Sequence, residues 1–77
     1  MAGKQLNPAL QLLAISIAEI VGERSEVYRD ILRAVTSGQV VDEMLAQASF
    51  DALPGETRRR IAERVEQMVA ERARLSA

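Results

Sequence analysis

Three consecutive arginines, Arg58-Arg59-Arg60, and two neighbouring carboxylates, Asp42-Glu43, are the residues of this 77-residue chain whose types invite chemistry. Clustered guanidinium groups bind phosphate or an acidic partner, and paired carboxylates can divide general acid and base roles. Spacing weakens both. On a helix, adjacent side chains point about 100° apart, so Asp42 and Glu43 do not converge. They fall in the first turn of a helix, where negative charge suits the dipole. The arginines splay around their helix in the same way, with Glu63 and Glu66 close behind. We read them first as a solvated face, and keep Arg58, Arg59 and Arg60 as a possible contact for an anion or acidic partner.

Other chemistries lack their residues. There is no His and no Cys, which removes the common metal ligands, the thiol nucleophile and the usual partner of a serine nucleophile. The one lysine is Lys4. Acidic residues do not follow a calcium-loop pattern. The glycines at 3, 22, 38 and 55 are scattered and make no phosphate loop. We therefore expect no catalytic residues, no cofactor and no metal, and a protein that is not an enzyme.

Charge narrows the partners. The net charge of −1 argues against a strong nucleic-acid or membrane-surface binder. It is unevenly spread: residues 1–53 hold four basic and seven acidic groups, residues 54–77 six basic and four acidic. Met1–Asn7 is not followed by the apolar region and cleavage site of a secretory leader. The apolar run at 9–21 is shorter than the roughly 20 residues that span a bilayer. The expectation is a cytoplasmic protein without membrane contact.

The elements that would carry these residues are helices. Asn7 is a good N-cap, Pro8 suits the first helical position and Gly22 a stop. In the segment between, Leu10, Leu13, Ala14, Ile17, Ile20 and Val21 share one face. Leu12 and Ile15 lie on the opposite side with Ser16 and Glu19, as apolar surface in excess of a core face. A second helix starts after Ser25, buries an arc of Val27, Tyr28, Ile31, Leu32 and Val35, and ends at Gly38. Thr36 and Gln39 have capping-box spacing for a third helix. That helix runs from about Gln39 to Ser49, with Val41, Met44, Leu45 and Ala48 as its buried side. Phe50 falls off the stripe and is expected to turn in from the corner. The third helix has no Lys or Arg, so as a DNA-reading helix it would repel phosphate. Pro54 opens a fourth helix, to about Arg74, with a stripe of Ile61, Val65, Met68 and Leu75 that contains Arg72. Arg72 either snorkels to water or pairs with a carboxylate such as Glu19, within the chain or across a dimer.

No strand pattern, repeat or linker interrupts this order. The fold class is all-α: one domain over residues 1–77, a small three- to four-helix bundle with mobile ends at about 1–6 and 75–77. A domain this small buries only about 60% of its unfolded surface, and with twelve alanines and no cysteine it has reason to oligomerise. We expect a homodimer and a non-enzymatic interaction protein: a regulator, inhibitor, assembly chaperone or accessory subunit acting by helix-face docking. The expected protein interface is Leu12, Ile15, Glu19 and Arg72. The alternative is a dimeric nucleic-acid-associated regulator that touches phosphate through Arg58–Arg60.

Overall fold

Turn chemistry sets the boundaries of four helices in the computed structural model, which describes residues 8–76. They are α1 (Pro8–Ile20), α2 (Glu26–Ser37), α3 (Val40–Asp51) and α4 (Gly55–Ser76). Asn7, Lys4 and the expected mobile residues 1–6 and 77 lie outside the described residues, while Leu75 and Ser76 continue α4. After α1, Gly22 takes a φ of 116°. Ser25 then caps α2: its Oγ accepts from the Tyr28 N–H at 3.2 Å and donates to the Gly22 carbonyl at 2.8 Å. Gly38 closes α2 in the left-handed region at φ 66°, its N–H bonded to the Ala34 carbonyl, a conformation that is easy for glycine and costly with a Cβ.

The capping box expected between α2 and α3 is not formed. Thr36 is still helical and its hydroxyl donates to the Leu32 carbonyl at 2.8 Å. The N-cap of α3 is Gln39, which makes no side-chain cap, and Ser37 braces the corner instead. Its Oγ accepts from the Gln39 N–H at 3.1 Å and donates to Asp42 Oδ2 at 2.6 Å. Asp42 is thereby committed to the α2–α3 corner, where its charge also faces the positive end of α3.

Packing follows the order α4–α1–α2–α3, each helix lying against the next. The extents are 38 × 36 × 17 Å, so the molecule is a slab less than two helix diameters thick. The C-terminal end of α1 meets α4 near its middle, where Glu19 pairs with Arg64, and Val21 and Leu53 border one small cavity. The 22 residues of α4 measure about 33 Å against about 20 Å for the 13 of α1.

The core is thin. Ala14 and Ile17 of α1, Val27, Ile31 and Ala34 of α2, Ala46 of α3 and Ile61 of α4 form one buried cluster. Leu13, Ile20, Val21, Tyr28, Val35, Phe50, Leu53 and Val65 pack against it. The expected core face of α1 is thus largely the observed one, and that of α2 is shifted: Leu32, read as buried, is 44% exposed, and Ala34 lies in the core instead. Ser16 departs from expectation: placed by periodicity on the outer side of α1, it is 0% exposed, and its Oγ has no hydrogen-bond partner. The Glu19–Arg64 pair, one turn further along, brings α4 close to that side of α1.

α3 contradicts its expected orientation. Val41, Met44, Leu45 and Ala48, read as its buried side, are exposed. Ala46 is the buried residue, and Phe50 is not a corner residue but the penultimate residue of the helix, packed on the core. The inward positions are 42, 46, 49 and 50, about 135° around the helix from the apolar stripe. Three contacts fix this rotation. Asp42 is held by Ser37, the Ser49 hydroxyl donates to Asp30 of α2, and Ala46 is small enough to let α3 approach α2 closely.

Candidate docking face

Each residue of the expected interface has a definite place, and the four do not converge. Leu12 is half-buried. Ile15 is 48% exposed and lines an open groove of about 570 Å³ between α1 and α2, with Tyr28, Leu32 and Val35 along the other wall. Glu19 borders the same groove, but its carboxylate accepts a hydrogen bond from Arg64 Nε at 2.8 Å. Arg72 is exposed, so neither the apolar stripe of α4 nor a bond to Glu19 holds it. The partner expected at Arg72 is Arg64, two turns earlier on α4. The excess surface of α1 is thus mostly accounted for within the chain, and Ile15 is what remains.

The Glu19–Arg64 pair is the ion pair among the described residues, and it ties α1 to α4 across 45 positions of sequence. The Arg64 hydrogen bond holds the Glu19 carboxyl below the usual carboxylate range, and the same bond raises Arg64. Both side chains face solvent, where such a pair contributes modestly and is screened by salt.

The arginine run divides. Arg58 Nε donates to the Leu53 carbonyl at 3.1 Å, bracing the α3–α4 corner from a half-buried position. Arg59 and Arg60 are exposed. A three-arginine cradle is therefore not assembled, since one member is spent on the backbone. Among the described residues no group of three or more His, Cys, Asp or Glu side chains converges to hold a metal ion, and no helix is long and apolar enough to cross a membrane.

What the rotation of α3 creates is a continuous apolar face, made of the stripe expected indoors together with Val40. Val40, Val41, Met44 and Leu45 are 68, 64, 66 and 50% exposed, with Ala48 completing the stripe. Together they present roughly 400 Å² of apolar surface, the size of patch that on monomers is often functional. α3 has acidic residues at 42, 43 and 51 and no basic residue, so the face is apolar with an acidic margin. Its signal in the sequence was Phe50: the largest apolar residue of the segment lies off the Val41–Met44–Leu45–Ala48 stripe, and a helix that buries it must turn that stripe outward.

These features define a small all-α slab that presents the apolar stripe of α3 on its surface. The chain matches no protein-family model, and neither a curated protein nor a solved structure is significantly similar to it.

Proposed function

We propose that the chain is a non-enzymatic helical interaction protein, of the kind that regulates, inhibits or accompanies a larger assembly, and that it docks through the outer face of α3. The observation that carries this reading is the exposure of Val40, Val41, Met44 and Leu45 on one helix face. Helix-face docking uses such a stripe for affinity and the charged margin for partner choice. Arg58–Arg60 give a phosphate-binding role less support, because Arg58 is engaged by Leu53 and the helix acids follow within two turns.

The test is site-specific photocrosslinking of the full chain in its own cells, with the photoreactive residue at position 44 and, as control, at position 60. Protein adducts at 44 that are absent at 60 are expected. Equal labelling at both positions, or none at 44, would overturn the reading.

A further inference from the structure

Resting on that docking role, we infer that the occupant of the α3 face is an amphipathic helix of another protein, whose apolar stripe is edged by two basic side chains two turns apart. The outer side of α3 is built in rows of residues four apart. Val41 and Leu45 make one row and Val40, Met44 and Ala48 the next, all exposed. Beside the second row run Glu43, Gln47 and Asp51, exposed as well. Residues four apart are neighbours on a helix surface, so the face is apolar with a polar edge on one side. That edge holds two carboxylates eight residues, or about 12 Å, apart. Asp42, the third acid of α3, is turned into the corner by Ser37 and takes no part.

Neither edge carboxylate is ion-paired among the described residues, and α3 has no basic residue. Asp51 stands in the less favourable place. It ends α3, where a negative charge opposes the helix dipole, and the last turn holds no base to offset it. Gln47 Nε2 donates to Asp51 Oδ1 at 3.0 Å, which holds the carboxylate along the edge. A residue kept against local preference is one mark of a functional position. An incoming guanidinium or ammonium converts that local cost into an attraction.

Charge also separates this occupant from others. A second α3 laid antiparallel on the same face sets the Glu43–Asp51 edge against itself. Laid parallel, it sets that edge against a margin of α3 that has no base. Like charges facing across an interface cost affinity. An anionic membrane surface would meet the same two carboxylates. A helix read through its anchors at i, i+3, i+4 and i+7 suits the apolar rows, and bases seven or eight residues apart along its edge match the carboxylate spacing within the reach of a Lys or Arg stem.

The test titrates two synthetic helical peptides against the full chain by fluorescence anisotropy at low salt. The peptides share one leucine stripe and differ at two edge positions two turns apart, arginine in one and glutamate in the other. The arginine peptide is expected to bind at least about 10-fold more tightly, and high salt should shrink that preference. Glu43→Gln with Asp51→Asn should abolish the preference, and Val41→Gln with Met44→Gln should weaken the arginine peptide at least about 10-fold, both with wild-type helical circular dichroism. Equal binding of the two peptides, a preference that survives Glu43→Gln with Asp51→Asn, or no binding of the arginine peptide would each overturn the inference. A crosslink from position 44 to a second copy of the chain would overturn it in favour of self-association. If position 44 crosslinked to another protein while the two peptides bound equally, the docking role of α3 would stand and the basic edge of its partner would fall. With no crosslink at 44, both would fall.

Discussion

Ser16 and Glu19 show how much one residue's setting depends on what lies over it. Periodicity sets both on the side of α1 away from the core stripe, yet one is fully buried and the other is paired with Arg64 of α4. The buried Ser16 hydroxyl has no partner, and an unpaired buried hydroxyl costs about 1–3 kcal/mol. Ser16→Ala removes it and favours the helix, so we predict a stability gain of about 1–2 kcal/mol in urea titration; a loss would mean that the hydroxyl has a role in the fold. Glu19 has a depressed folded pKa, so its contribution is present above the ordinary carboxylate value of about 4.3 and is lost as pH falls through the folded value. Glu19→Gln should therefore lower the melting temperature slightly at pH 7, and the difference from wild type should shrink steadily as the pH falls below about 4 and on adding salt. A constant difference across that range would deny the ion pair any share in it.

At the scale of elements, helix number, helix boundaries to within about two residues and most of the core faces of α1 and α2 were legible in the sequence, because caps, glycines and one-sided periodicity agreed there; Leu32, expected inside, is exposed and Ala34 takes its place. The rotation of α3 was not. Its apolar stripe is the better buried face by composition alone, and it is defeated by contacts between elements: Ser37 with Asp42, Asp30 with Ser49, and Ala46 where α2 comes close. None of these is visible within α3 itself. The partner of Glu19 was missed for a similar reason, since periodicity on α4 gives no register against α1. Gly38 tests the corner on which α3 turns. At φ 66° a Cβ is costly, and Gly38→Ala should destabilise by about 1–2 kcal/mol, Gly38→Asn by less. Equal stability of all three would show that the corner is not left-handed.

For the whole molecule, a slab 17 Å thick with three alanines among its seven clustered core residues has little stability to spare. At about 0.05–0.15 kcal/mol per residue, 77 residues hold roughly 4–12 kcal/mol. Ile61→Ala opens a cavity at a fully buried site and should cost about 2–4 kcal/mol, a large share of that stability. Glutamates on the outer face of α3 should by contrast leave the unfolding free energy of the monomer within about 0.5 kcal/mol, as exposed substitutions do. The same thinness leaves apolar helix surface outside a core too small to take it in. Whether α3 presents its apolar stripe outward is the point on which the proposed docking depends, and two methionines report it directly. Met44 is 66% exposed and Met68 is 8% exposed, and thioether oxidation needs access to the sulfur. Mild peroxide treatment of the dilute chain, followed by mass spectrometry of each site, should oxidise Met44 at least about 10-fold faster than Met68. Equal slow oxidation of both would place the α3 stripe indoors and contradict the account.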